Sequence, residues 1–241
     1  MSLTIQLEEH KSVLKAPFFP PLNLDGDYEL ALTGLAAWNS IPNVTENNNL
    51  FYFSDGQVLE IPVGSYEIDD ICNYLRLQLK SYHVRNPVPE SMRGELGDEA
   101  IIIRGNHQTL RSEVICRYVI DFSKPKNIGS LLGFENIILK PFKLYQSNDL
   151  VNIMQVEAIK VQCNIISGSY TNGQADHTLY EFYPSVSPGY RIIEIPRNAI
   201  YLPVNTRSID YIELRICDQY NKLIDFRKEK IYAQIVLRKC L

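Results

Sequence analysis

The histidines are the first residues to consider, because an imidazole can serve as a metal ligand or as a general base near neutral pH. Metal-dependent enzymes often bring such ligands together through short spacings such as H-x-H or H-E-x-x-H. No such spacing occurs among the four histidines, which are His10, His83, His107 and His177. The sequence therefore predicts no metal site and disfavours metal-dependent catalysis.

The cysteines are too far apart to form a local redox or zinc motif. They are odd in number and lie more than 20 residues from one another, at Cys72, Cys116, Cys163, Cys217 and Cys240. This pattern predicts neither a disulfide framework nor a zinc ribbon, and it fits a reducing compartment. A nucleophilic pair of Cys116 and His107 stays open, although the apolar surroundings of Cys116 favour an inert buried thiol. We accordingly predict no catalytic, cofactor-binding or metal-binding residue and no enzyme activity.

Charge gives little indication of a polyanionic partner. The net charge is -4 at pH 7, whereas proteins that coat nucleic acids carry clustered Lys and Arg. The basic residues Arg227, Lys228 and Lys230 alternate with acidic ones, which favours a solvated strand entrance over a polyanion contact. Adjacent Asp69 and Asp70 project about 100° apart on a helix, so compensation of the helix dipole explains them better than shared acid–base chemistry. We predict no sequence-specific nucleic-acid binding.

Tyrosine is the most conspicuous side chain, with 15 copies in 241 residues. Several tyrosines stand beside Gly and Pro in the segments 167–190 and 196–206, where rigid amphipathic rings suit either a core or a subunit interface. The residues alone leave both alternatives open. Five residues are our candidates for a subunit interface: Tyr170, Asn172, Tyr183, Tyr190 and Tyr201.

Short strands dominate the elements that would position these residues. Ile212, Leu214 and Ile216 alternate with charged residues, and the segment 229–238 alternates in the same way. Further strand-like segments are 28–37, 50–53, 57–61, 100–104, 112–122, 137–145, 151–166, 178–183 and 190–195. Only 66–82 has helical periodicity, with Ser65 as its expected N-cap. Its apolar stripe is predicted to lie against the sandwich and to cover the edge or end of a sheet, and it consists of Ile68, Ile71, Cys72, Leu75 and Leu79.

About ten strands and one helix predict an all-β sandwich or barrel rather than a βαβ architecture. No repeat or linker divides the sequence, so we expect one domain over 1–241. No stretch approaches the roughly 18 apolar residues of a membrane helix, and Glu8 and Glu9 interrupt any apolar run near the N-terminus. We expect a protein made in soluble form, without membrane insertion.

A set of stretches in a fixed order carries a family resemblance. In the N-terminal half these are 28–35, 38–43, 61–71 and 128–134; in the C-terminal half they are 151–153, 165–173, 182–190, 200–204 and 218–224. Together they are similar to the minor capsid (penton) proteins of Polinton/Maverick elements and related adintovirus-like viruses. The resemblance covers roughly 28–238. The segment 218–222 departs from it, because the family has a Gly-type turn there.

The resemblance implies a single jelly-roll sandwich of two four-stranded antiparallel sheets with one inserted α-helix, and it leaves residues 1–25 free to form an extended N-terminal arm. It also implies a homopentamer at the fivefold vertices of an icosahedral virus-like particle, with a double jelly-roll major capsid protein as partner. The protein would be made in the host cytoplasm and localise to the virion, with nuclear assembly as one route. Two other classes stay open: a lectin-like or receptor-binding jelly-roll module without a capsid role, and a cupin-like enzyme, which would need a metal.

Overall fold

The computed structural model describes residues 2–54, 56–85 and 94–240 and shows a predominantly β protein. The strands of these ranges, β1 to β18 in chain order, are Ser2–Glu9, Val13–Asn23, Tyr28–Trp38, Leu50–Phe53, Gln57–Glu60, Ile101–Asn106, Arg111–Cys116, Ile120–Asp121, Ile138–Leu139, Tyr145–Gln146, Ile159–Cys163, Ser169–Thr171, Gln174–Asp176, Thr178–Phe182, Arg191–Glu194, Leu202–Pro203, Ser208–Cys217 and Ile231–Lys239. The described residues contain one α-helix, α1 (Ile68–Arg85), and two short 3-10 helices, Gly94–Leu96 and Ile128–Ser130.

The chain forms two compact units where the sequence leads us to expect one domain. Unit 1 comprises Met1–Ile41 and Val156–Leu241, and unit 2 is Pro42–Gln155. Unit 2 is therefore an insertion in the sequence of unit 1, between β3 and β11.

Unit 1 contains the jelly roll. One sheet has the order β1-β18-β3-β15, with the short β16 also paired to β3, and the other has the order β14-β11-β17-β2. All of these pairings are antiparallel. If the eight main strands are counted along the chain, the two orders are 1-8-3-6 and 5-4-7-2, which is the double Greek-key connection of a jelly roll. The predicted fold class, two four-stranded antiparallel sheets in a jelly roll, is confirmed.

The core of unit 1 follows from period-two alternation along its longest strands. Ile212, Leu214 and Ile216 of β17 are fully buried, and every second residue of β18 from Ile231 to Leu237 is buried as well. These side chains belong to one apolar cluster with residues from both sheets. Each aliphatic side chain buried in this way contributes about 1.5–3 kcal/mol.

The N-terminal residues are built into both sheets of unit 1. The segment 1–25, which the resemblance left free as an extended arm, supplies β1, paired with β18, and β2, paired with β17. Leu7 of β1 and Leu14 of β2 are buried in the unit 1 core. The apolar alternation at Leu3, Ile5 and Leu7 gives β1 one face suited to that core.

Unit 2 has its own core between two small sheets and the helix. Its sheets have the orders β10-β7-β6 and β5-β4-β8-β9. The predicted hairpin of 50–53 and 57–61 is confirmed by the pairing of β4 with β5; Asp55 of its expected turn lies outside the described residues. Phe53 and Tyr82 meet edge to face, with ring centroids 5.1 Å apart.

Helix α1 buries the predicted stripe, but it begins later than expected. Ile71, Cys72, Leu75 and Leu79 are all buried in the unit 2 core. The helix starts at Ile68, where the backbone N–H of Glu67 donates to the Asp70 carboxylate over 3.0 Å. Ser65 is therefore too early in the chain to be the N-cap, and that prediction is wrong.

The helix also binds the free edge of β6, the outer strand of the three-stranded sheet. The backbone N–H of Ile103 donates to the Cys72 sulfur over 3.2 Å, and Arg76 Nε donates to the Ile101 carbonyl over 3.1 Å. The prediction that the stripe covers a sheet edge is confirmed, but the prediction that it lies against the sandwich is wrong, because the stripe packs in the core of unit 2. An edge bound in this way cannot add a strand from another chain.

Candidate subunit interface

Tyr170 and Asn172 lie on a hairpin that projects from the loop between β11 and β14. Strands β12 and β13 pair through a two-residue turn, Asn172-Gly173, whose φ angles are +53° and +78°. Two positive φ values in succession are what a type I′ turn requires, and Asn-Gly is its preferred sequence. Both Tyr170 and Asn172 are exposed. The hairpin thus holds an aromatic ring and an amide in solvent on a defined scaffold.

Asp176 fixes the base of this hairpin. Its carboxylate accepts hydrogen bonds from the Thr171 hydroxyl at 2.8 Å, the Thr178 hydroxyl at 2.7 Å and the His177 backbone N–H at 2.7 Å. Burial raises the pKa of Asp176, but the hydrogen bonds from Thr178, Thr171 and the His177 backbone, together with the Lys160 charge, hold the pKa below its usual value. The charged form therefore rigidifies the hairpin at neutral pH.

Tyr201 is already engaged within unit 1. The guanidinium of Arg238 lies 3.4 Å from the centre of its ring and also pairs with Glu29 through an Nε–Oε1 distance of 2.6 Å. The residue is half-buried. One face of the ring is therefore covered, and Tyr201 offers less surface to a partner than the other candidates.

Tyr183 and Tyr190 flank the loop between β14 and β15, and both side chains are exposed. The backbone of this loop is tied to the end of β3, since Gly189 N donates to the Asn39 carbonyl and Asn39 N donates to the Tyr190 carbonyl, each over 2.8 Å. Asn39 Nδ2 also donates to the Val186 carbonyl over 2.7 Å. An exposed tyrosine on an anchored loop, as Tyr190 is, suits an interface, because little side-chain entropy is lost on binding.

The five candidates separate into two groups at opposite ends of the sandwich. The first group is Tyr170, Asn172 and Tyr201, and the second is Tyr183 and Tyr190. The first group lies at the end of the sandwich where β3 starts. There Ile166 forms an isolated β-bridge with Val204, and the backbone N–H of Val204 donates to the carbonyl of Tyr28. The second group lies where β3 ends at Trp38, opposite Arg191. Eleven residues of extended chain separate these ends by about 33 Å. An interface that used both groups would have to run the length of the sandwich.

The structure reveals exposed apolar residues that sequence reasoning missed. Phe19 on β2 and Ile193, Ile195 and Ile200 near β15 are all exposed. Phe19 stands in the run Phe18-Phe19-Pro20-Pro21, and Ile193 and Ile195 flank Glu194. Proline in a strand indicates an edge, which is the signal that could have identified Phe19. No comparable signal marks the isoleucines, because alternation does not tell which face of an edge strand is covered.

Four of the five thiols are buried, which suits packing rather than nucleophilic attack, and Cys240 is exposed. Burial raises the pKa of the Cys116 thiol to about 12 and that of Cys163 to about 11. Cys116 pairs with Ile101 at one end of the β6–β7 hairpin, while His107 lies in the turn at the other end. The residues that sequence reasoning left open as a nucleophilic pair therefore do not meet.

Two further searches concern metal and membrane sites. Among the residues that the structure describes, no group of three or more His, Cys, Asp or Glu could hold a metal ion; the side chain of His83 lies outside them. Over the same residues, no helix combines the length and the apolar character needed to cross a membrane.

Comparison with known proteins gives a structural match only. No family model matches the sequence, and no curated protein matches it. Among solved structures, the chain is similar to the crystal structure of the selenomethionine-labelled mavirus penton protein, with a TM-score of 0.51 over 100% of both chains and 9% sequence identity. At this identity the similarity shows the fold, a penton-like jelly roll, and agrees with the strand order of unit 1.

Proposed function

We propose that this protein is a minor capsid protein of penton type, which assembles as a homopentamer at the fivefold vertex of an icosahedral particle. The observation that carries the proposal is the jelly-roll strand order of unit 1 together with full-length structural similarity to the mavirus penton protein. On the sequence resemblance we propose, more narrowly, that it comes from a Polinton/Maverick or adintovirus-like element. Its work in this proposal is self-association, and it catalyses no reaction.

The surface of unit 1 supports a role in assembly. Exposed tyrosines stand on loops whose backbones are hydrogen-bonded in place, as described for Tyr170 and Tyr190. Such residues bury large areas with small losses of side-chain entropy. A ring needs an interface of roughly 800 Å² per partner to persist in solution.

The partners follow from the same proposal. A double jelly-roll major capsid protein would surround each pentamer, and the protein would be made in the host cytoplasm and reach the virion after cytoplasmic or nuclear assembly. The net charge of -4 supports contacts to protein rather than to the phosphates of a genome.

We also predict that the purified protein carries no metal; stoichiometric zinc in elemental analysis would contradict this and favour a cupin-like enzyme.

Negative-stain electron microscopy of the purified protein tests the proposal. We expect rings with five lobes of uniform size. A monodisperse monomer that binds glycans on an array would instead identify a jelly-roll binding module, either lectin-like or receptor-binding. Rings with another number of lobes would retain the assembly role and reject the pentamer.

A further inference from the structure

Residues 18–21 of β2 bulge outward from an edge of unit 1. Pro17 pairs with Tyr211 and Leu22 pairs with Ile209, so these four residues stand opposite the single residue Asp210. Phe18 packs against the core, whereas Phe19 is fully exposed, at 101% of its reference area. An aromatic ring displayed in this way forgoes the stabilisation that its burial would contribute. We call residues 18–21 the Phe19 bulge.

A complementary feature lies elsewhere on unit 1. Ile193, Ile195 and Ile200 are 62%, 69% and 57% exposed. With Tyr180, Glu194 and Arg197 they line an open groove of about 740 Å³, which we call the isoleucine groove. The Tyr180 hydroxyl donates to Glu194 Oε1 over 2.9 Å, so one oxygen of the carboxylate at the groove already has a partner. The volume accommodates an aromatic side chain.

The strand order places the Phe19 bulge and the isoleucine groove on opposite sides of the sandwich. Strands β1 and β2 are edges of the two sheets on one side, and β15 and β14 are the edges on the other. The two features therefore cannot meet within one chain. Contact between them requires a second copy, and because the joined surfaces differ, the contact is head to tail and repeats from copy to copy, closing into a ring when the rotation between copies divides a full turn.

The isoleucine groove carries one charge of each sign, and because Glu194 accepts a hydrogen bond from Tyr180, Arg197 is the charge left for a partner. Asp210 lies opposite the Phe19 bulge, and Arg197 lines the isoleucine groove. Asp210 is exposed. Neither residue forms a salt bridge within the described part of the chain. When the Phe19 bulge docks in the isoleucine groove, Asp210 and Arg197 would face each other at the rim of the contact. Opposite charges there favour this alignment of the two copies over one that brings like charges together.

We propose that Phe19 of one copy inserts between Ile193, Ile195 and Ile200 of the next copy, so that the Phe19 bulge and the isoleucine groove form the repeating interface of the ring. This inference rests on the proposed function and names the surfaces through which it is carried out. The occupant of the groove is a second copy of this chain.

Two matched variants test the contribution of Phe19. Light scattering should show that Phe19→Asp weakens assembly at least about tenfold with an unchanged circular dichroism spectrum. Tyr220→Asp, which changes an exposed tyrosine outside both features, should assemble like the wild type. Equal assembly by Phe19→Asp and wild type would overturn the inference while leaving the proposed function intact. A monomeric wild type would overturn both.

Cysteine cross-linking tests the pairing itself. Cys240, the exposed member of the five cysteines, is first replaced by Ser. In that background, a chain carrying both Phe19→Cys and Ile200→Cys should give, with a short bismaleimide, a ladder of covalent oligomers that ends at the ring size. Each single variant should stay uncross-linked. Covalent dimers from Phe19→Cys alone would show a two-fold contact and overturn the inference, as would the absence of a ladder from an assembled double variant.

Discussion

The two units differ in how they leave the edges of their sheets. In unit 2, α1 lies against β6 and binds backbone groups of that edge through Cys72 and Arg76. In unit 1, β15 is an edge strand with isoleucines in solvent beside it, and β2 is an edge strand that displays Phe19. The edge of β6 is therefore closed within the chain, whereas β2 and β15 leave apolar side chains exposed at the edges of unit 1.

The largest effect on stability should come from a charge under the helix of unit 2. Leu75 is fully buried on α1, whereas Leu77 on the same helix is 70% exposed. Leu75→Asp should lower the free energy of unfolding by about 4 kcal/mol or more, because it buries a charge without a partner. Leu77→Asp should change it by about 0.5 kcal/mol or less. Equal chemical denaturation curves for the two variants would show that α1 is not packed on this face.

Two glycines, one in each unit, should differ in the cost of an added methyl group. Gly133 of unit 2 has φ +79°, and a Cβ there would lie 2.3 Å from the Asp149 carbonyl oxygen. Gly173 of unit 1 has φ +78° with no atom within 4 Å of the added Cβ. We expect about 3 kcal/mol of destabilisation for Gly133→Ala and about 1 kcal/mol for Gly173→Ala. Thermal and chemical denaturation measure both, and a reversed order would contradict the packing around Gly133.

Alkaline pH should destabilise both units through their buried thiols. Burial raises the pKa of Cys116 in unit 2 to about 12 and that of Cys163 in unit 1 to about 11. An unfolded thiol ionises near pH 8.5, so the unfolded chain loses these protons first and stability falls as pH rises above about 9. Each thiol should contribute about 1.4 kcal/mol per pH unit up to its folded pKa. Cys116→Ala and Cys163→Ala should each reduce the fall in the free energy of unfolding between pH 9 and 10.5, whereas Cys240→Ser should not.

The smallest effect on stability should accompany a loss of assembly. Tyr190 is exposed on a loop anchored to the end of β3. If its side chain lies in the subunit interface, Tyr190→Asp should give soluble monomers with unchanged circular dichroism and unfolding within about 0.5 kcal/mol of wild type. Sedimentation velocity measures the mass, and a charge reversal at the rim of the interface should only slow assembly mildly. An intact oligomer would place Tyr190 outside the interface.

The alternation of β17 and β18 made the sandwich predictable, since only strands with one buried face repeat apolar residues with period two. The helical stripe was predictable for the same reason at period 3.6. Strand β2 was missed because Pro17, Pro20 and Pro21 argue against a strand. The prolines are tolerated because β2 is an edge strand, where a missing backbone N–H breaks no ladder. Only the pairing with β17 establishes that position.

The candidate interface was predictable only in part. Tyr170, Tyr183 and Tyr190 were selected from composition and are exposed in the structure, while their role in an interface stays a prediction. Tyr201 is stacked on Arg238 of β18, a contact across 37 residues that no local pattern indicates. The division of the five candidates between two ends depends on which loops the strand order brings together. Topology of that kind follows from long-range pairing and not from spacing.

The mass of the wild-type protein in solution tests our proposal that unit 1 assembles copies of this chain into a closed ring. Static light scattering at high protein concentration, in low and in high salt, measures it without any substitution. We predict a single species with the mass of five chains that persists in high salt, because an interface dominated by apolar side chains is weakly screened. A species with the mass of one chain in both salts would contradict the claim.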